Sequence, residues 1–277
     1  MGHDWALILY TLCIQAAVGI YVVSRFVVAK ETQPTERTRY LTLVLALGVA
    51  GVLGSTLHLG SPAGALLTMS NLGSSWLSRE ILFTILFGVA GICSLVLELK
   101  SIGTAEGRNG WAVVTGLLGV ALVVVMSMIY RSMAFPSWTH FSTTTGFLAT
   151  AGLIGTVAVF AAESLRGKAE GCSVTATVVG AAAMLALQMV SVVSHLVYLG
   201  SAGKQAQMTA AMLSGDLSVF LWARVLLVVV GAAICVPWAW KQPAVKKAVP
   251  VAAIALVGLG ELVGRVLFYA TRVKIGL

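Results

Sequence analysis

His58 stands one residue before Leu59-Gly60-Ser61-Pro62, and Glu80 follows it by 22 residues. An imidazole titrates near neutral pH and can hydrogen-bond a carbonyl or hydroxyl oxygen. With a carboxylate at the same membrane face it forms a pair able to accept protons. The glycine and proline end any helix that carries His58 and expose backbone groups beside it. A lone histidine at a helix end is commonly an interface residue; Glu80, with Arg79 before it, gives this one a chemical reading. Three further charges, Arg224, Glu261 and Arg265, lie inside apolar runs, where an ionisable side chain costs about 2.5–3.5 kcal/mol on insertion scales. Glu261 and Arg265 are four apart, so they share a helix face and can neutralise each other. Arg224 has no carboxylate within one turn and would pair with Glu261 or Glu80 across helices. These three charges read as structural.

The elements that must position these residues follow from composition. Of 277 residues, 58% are hydrophobic and 10% charged, against about 25% charged in a soluble domain, and the mean hydropathy is +0.96. The surface must therefore face lipid. Spans of about 20 apolar residues are predicted at 5 to 29, 39 to 59, 79 to 99, 111 to 131, 143 to 165, 174 to 199, 216 to 238 and 248 to 270. The fold class is all-α, a polytopic membrane protein of eight transmembrane helices in one integral-membrane domain over 1–277. The connections Lys30 to Arg39, Gly60 to Ser78, Lys100 to Gly110, Ser132 to His140, Arg166 to Cys172, Gly200 to Gly215 and Lys241 to Lys247 collect the charges and turn formers. The start, Met1-Gly2-His3-Asp4, lacks the basic region of a cleavable signal, so the first apolar run reads as a retained span.

Echoes between the halves suggest two parallel four-helix repeats, 1–137 and 138–277. Leu59-Gly60-Ser61 returns as Leu199-Gly200-Ser201 at an offset of 140, and Arg25 and Tyr130 return as Arg166 and Tyr269 at offsets of 141 and 139. Chance matching in so narrow a composition explains the echoes equally well.

The formal charge of +8 does not point to nucleic acid, because the basic residues sit singly in short loops as topology signals. Cys13, Cys93, Cys172 and Cys235 form no Cys-x-x-Cys pair and no disulfide framework, and no metal site is expected. A membrane-crossing b-type haem usually needs two facing histidines. Of His3, His58, His140 and His195, only His58 and His195 fall in spans, and the topology places both toward the same face. That leaves room for one His-His haem, but nothing supports a two-haem relay across the membrane, and the chain is expected to carry no redox centre of its own.

At His58-Leu59-Gly60-Ser61-Pro62 and Glu80 the sequence resembles the membrane anchor subunit of the anaerobic dimethyl sulfoxide reductase family. The resemblance continues through Tyr130, Pro136-Ser137-Trp138, Trp222, Arg224, Gly260-Glu261-Leu262-Val263-Gly264-Arg265 and Phe268-Tyr269. It implies a menaquinol-oxidising anchor in a heterotrimer. An iron-sulfur subunit with [4Fe-4S] clusters would receive the electrons, and a molybdopterin subunit would reduce an S-oxide or N-oxide. His58 and Glu80 would be the quinol's proton acceptors, in a quinone-binding site of His58, Ser61, Arg79, Glu80, Tyr130 and Arg131. Where family members carry a basic residue soon after the proline, this chain has Ala63-Gly64. The location implied is the bacterial cytoplasmic (inner) membrane. A secondary transporter is the alternative, on the strength of the repeat, the Gly-Pro break and the intramembrane charges, but a midplane carboxylate cluster is missing.

Loops 1-2, 3-4, 5-6 and 7-8 hold ten Lys and Arg (Lys30, Arg37, Arg39, Lys100, Arg108, Arg166, Lys168, Lys241, Lys246, Lys247), and the other side holds five (Arg79, Arg131, Lys204, Arg272, Lys274). The positive-inside rule then puts both termini outside the cytoplasm. Reporter fusions between Lys30 and Arg39 should be active only with a cytoplasmic reporter; activity of an exported reporter there would invert the topology.

Overall fold

The computed structural model describes residues 4–26, 34–56, 68–166, 174–241 and 247–273, and among them there is no strand. The α-helices in chain order are α1 (Asp4–Phe26), α2 (Pro34–Thr56), α3 (Trp76–Leu99), α4 (Ala105–Arg131), α5 (Pro136–Thr139), α6 (Ser142–Leu165), α7 (Val174–Ser201), α8 (Lys204–Ser214), α9 (Ser218–Lys241) and α10 (Ala248–Ala270). A 3-10 turn, Thr68–Asn71, precedes α3. Helices α1, α2, α3, α4, α6, α7 and α10 are each long and apolar enough to cross a membrane. Helix α9, 24 residues long, follows α8 across a bend of 69° and occupies the seventh predicted span. The protein is thus an all-α, multi-pass membrane protein.

Helix starts depart from the hydropathy boundaries where caps decide them. Ser75 Oγ accepts the Ser78 N–H at 3.3 Å and starts α3, and Thr104 Oγ1 accepts the Gly107 N–H at 3.1 Å and starts α4 ahead of its apolar run. Each satisfies one of the amides that a helix start leaves unpaired. Two predicted connections prove to contain helix. Ser132 to His140 holds α5, with proline at its first turn. Gly200 to Gly215 holds α8, which is too polar for a span but buries Ala206, Thr209 and Leu213 along one side. Gly203, at φ 99°, supplies the left-handed turn before it.

Helices α1 and α6 sit at the centre. Helix α1 packs on α2, α4, α6 and α10, while α6 packs on α1, α4, α7 and α10. One apolar cluster, including Ile14, Tyr21, Leu41, Met126 and Phe147, joins the first four helices to α6 and α10. A second, including Leu153, Val157, Val228 and Val257, joins α6 to α7, α9 and α10. The α1–α6 contact is backbone on backbone: a Cβ on Gly155 would overlap the Gly19 backbone, and one on Gly19 the Ala151 carbonyl. Close approach through small residues is how helices associate in lipid, where apolar burial alone supplies no drive.

Both ends of the bundle are tied by charge. At one end Glu98 gathers Arg25 at 2.7 Å, Arg37 at 3.6 Å and Arg108 at 3.7 Å, and Glu163 bonds Tyr40 and, at 3.2 Å, Arg166. At the opposite end Arg272 makes a two-pronged pair with Asp4, at 2.8 and 3.1 Å, joining the last helix to the first.

Gly155→Ala should therefore lower the thermal midpoint of the detergent-purified protein, since overpacking a tight contact costs about 1–3 kcal/mol. Gly180→Ala is the control, because a Cβ there meets Thr156 at an ordinary 3.7 Å. Equal midpoints for the two variants would contradict the α1–α6 contact.

Candidate functional site

Glu80 lies near the start of α3, facing inward and only 7% exposed. Consecutive residues of a helix diverge by about 100° at 3.6 residues per turn, so Arg79 and Glu80 point apart. The Arg79 guanidinium lies over the Trp76 ring at 4.3 Å and donates to the carbonyls of Leu72 at 2.9 Å and Gly73 at 2.7 Å. It holds the segment before the helix and does not neutralise Glu80. Among the described residues Glu80 has no cation at ion-pair distance. Its neighbour is the Tyr10 hydroxyl from α1. That hydroxyl also bonds Thr84 Oγ1 at 3.0 Å, and Thr84 Oγ1 donates to the Glu80 backbone carbonyl at 2.8 Å. A carboxyl so enclosed, with no cation at ion-pair distance among the described residues, is not holding a structural ion pair, and groups of this kind are candidates for a functional site.

The wall beside it is aromatic. Tyr130 at the end of α4 and Tyr269 at the end of α10 hydrogen-bond each other through their hydroxyls, and both belong to the same buried cluster as Tyr10. Around Tyr130 stand Trp138, Phe147 and Phe268, with ring centroids 5.4, 5.6 and 5.2 Å away. Trp138 stacks on Phe268 at 5.0 Å and donates its indole N–H to the Phe268 carbonyl at 2.8 Å, pinning α5 to α10. Edge-to-face and offset packing of this kind gives a rigid apolar wall with a few polar tips.

Arg131 follows Tyr130 but turns to the α5–α6 corner, where it donates to the Thr139 carbonyl and to Thr144 Oγ1, both at 3.4 Å. His140 occupies that corner, stacked on Tyr198 at 4.5 Å. Its Nδ1 lies 2.9 Å from Ser142 Oγ, which lies 3.1 Å from His195 Nδ1 on α7. Partial burial, and then the nearby Arg131 charge, hold the His140 imidazole below its usual range, so it is mainly neutral at pH 7.

The three mid-span charges do not pair as the four-residue spacing suggests. Glu261 accepts from Thr150 Oγ1 at 2.7 Å and Gln188 Nε2 at 2.6 Å, with Arg224 at 3.9 Å. Arg265 donates to Gln15 Oε1 at 2.6 Å and lies over the Phe147 ring at 4.0 Å. Partners on other helices thus take the place of the intrahelical pair, and each ties α10 to a neighbour.

The structure thus sets Glu80 against Tyr10, which shares a buried cluster with Tyr130, turns Arg79 and Arg131 onto backbone carbonyls, and leaves Arg224, Glu261 and Arg265 in a separate network. His58 and Ser61 lie outside the described residues. Sequence reasoning missed Tyr10, Gln15, Gln188 and the role of His195. The two glutamines were the available signal, since an amide inside an apolar run must find a partner.

A family model described as DMSO reductase anchor subunit (DmsC) matches residues 1–271. Among curated relatives, the sequence is similar to the YnfH polypeptide of anaerobic dimethyl sulfoxide reductase from Escherichia coli (strain K12), 30% identical over 286 residues that cover 99% of this protein and 97% of that one. It is also similar to the C polypeptide of anaerobic dimethyl sulfoxide reductase from the same organism, 31% identical over 288 residues with the same coverage. The corresponding C polypeptide of Haemophilus influenzae (strain ATCC 51907 / DSM 11121 / KW20 / Rd) is 32% identical over 157 residues, 55% of this protein and 56% of that one.

Proposed function

Because the protein belongs to the DMSO reductase anchor subunit family, we propose that it oxidises menaquinol in the bacterial inner membrane and passes the electrons to an iron-sulfur subunit. That subunit would relay them to a molybdopterin subunit that reduces an S-oxide or N-oxide, so the terminal chemistry lies on another polypeptide. The observation that carries this reading is Glu80: a carboxyl buried at one end of the bundle, without a cation among the described residues, beside the Tyr10 hydroxyl and the Tyr130–Tyr269 pair.

Oxidation of a quinol releases two electrons and two protons. Glu80 accepts one proton from a quinol hydroxyl, and His58, placed by the sequence at the same face, accepts the other. Tyr130 and the aromatic wall hold the ring, as pockets for apolar cofactors do. Ser61 is assigned to the same pocket, and Arg79 and Arg131 flank it while bracing its backbone. The electrons leave to the partner's nearest cluster, which must lie on the same face because electron transfer weakens steeply with distance. With both termini outside the cytoplasm, that face is the outer one, and the protons are released where the electrons depart.

His58→Ala and Glu80→Gln should each abolish quinol-driven substrate reduction by the purified complex while the three subunits stay assembled. Reduction driven by a dye that feeds the soluble subunits directly should persist. Loss of both activities would mark the two residues as structural and overturn the assignment.

A further inference from the structure

A half-open cavity of about 110 Å³ lies between α6, α7, α9 and α10. It is separate from the Glu80 site: Phe147 and Phe268 line it on one side and pack against Tyr130 on the other. Gln188 and His195 on α7 stand 13 and 6 residues from the helix end at Ser201, or roughly 20 and 9 Å along it at 1.5 Å per residue. The cavity therefore runs from the bundle end toward membrane depth.

Its polar groups are incompletely used. Gln188 Oε1 and Ser137 Oγ are buried and lack a hydrogen-bond partner among the described residues, in side chains only 1% and 2% exposed, and both residues line the cavity. The Gln188 amide N–H already serves Glu261, which leaves Oε1 as an acceptor without a donor among the described residues. Among the described residues Arg224 has one partner, Glu261 at 3.9 Å. Its side chain lies against Gly264, where a Cβ would collide with the guanidinium. His195 lines the same space with Nδ1 taken by Ser142.

These groups define the ligand. Gln188 Oε1 needs a donor and the Arg224 guanidinium needs an acceptor, so the ligand must offer hydroxyl chemistry. Water would meet that need, but the remaining wall is apolar, with Phe147, Phe268, Val192, Leu213 and Leu221. At about 10–15 Å³ of probe volume per water, roughly eight waters would have to sit against it. An aromatic diol satisfies both parts: hydroxyls for Gln188 and Arg224, a ring for the apolar wall.

We propose that this cavity binds the headgroup of a second quinol-class molecule. The identity of the ligand rests on the quinol reading above; the presence of a ligand site does not. Photolabelling the purified complex with an azido-menaquinone analogue tests it. Labelled peptides are expected from α7 and α9, around Val192 and Leu221, in addition to those near Glu80. Leu221→Trp, which fills the cavity, should remove the first set and spare the second. Gln188→Leu, which removes the acceptor, should raise the concentration for half-labelling about tenfold, as loss of one good hydrogen bond does. In the unaltered complex, excess unlabelled quinol should protect α7 and α9, and its dimethyl ether, which cannot donate, should not. Label near Glu80 alone, protection by the ether, or labelling of α7 and α9 that Leu221→Trp leaves unchanged would each overturn the second site. Label on α7 and α9 alone would support it while removing the case for the Glu80 site.

Discussion

Polar groups inside a bilayer must be satisfied by the protein itself, and here that constraint falls on α10. Its Glu261 and Arg265 reach α6 through Thr150, α7 through Gln188, α9 through Arg224 and α1 through Gln15. Bonds between helices in a membrane average only about 0.6 kcal/mol each, so their importance here is in geometry more than in stability. Each leaves a charge stranded if the helix rotates, and together they fix which side of α10 faces inward. That rotation carries Phe268 and Tyr269 to Trp138 and Tyr130, so the aromatic wall of the candidate site depends on the same network.

The two ends of the bundle use charge differently. Around Glu98, three arginines from α1, α2 and α4 converge on one carboxylate, an arrangement that locks the ends of the helices together. At the other end Arg79 and Arg131 are occupied with backbone carbonyls, and Glu80 is left buried beside hydroxyls. A carboxyl with its cations spent elsewhere is the feature that distinguishes this end chemically. The carboxylates of Glu98 and Glu261 have cations beside them; that of Glu80 has the Tyr10 hydroxyl and, among the described residues, no cation.

Much of this was legible in the sequence. The spans follow from hydropathy because a lipid-facing helix has few alternatives, and Glu80, Arg224, Glu261 and Arg265 stand out as charges against apolar runs. The direct Glu261–Arg265 pair does not form, because spacing along one helix reports what can meet and cannot report competition from Gln15 or Gln188 on helices distant in sequence. Helix α8 was hidden for a related reason: its buried side is narrow and its exposed side polar, so its hydropathy resembles that of a loop. Tyr130 and Tyr269, noticeable as an echo between halves, turn out to touch, a contact that no periodicity could have revealed.

In the proposed function, quinol oxidation and delivery of electrons to the cluster subunit share the end of the bundle that carries Glu80. Crosslinking with mass spectrometry on the intact complex tests it most directly. Crosslinks from the iron-sulfur subunit are expected in the segments Gly60 to Ser78 and Ser132 to Ser142, at the face that carries Glu80, Arg131 and His140. Crosslinks concentrated in Lys100 to Gly110 or Lys241 to Lys247 would put the partner at the Glu98 end, a membrane's thickness from the buried carboxyl, and would contradict it.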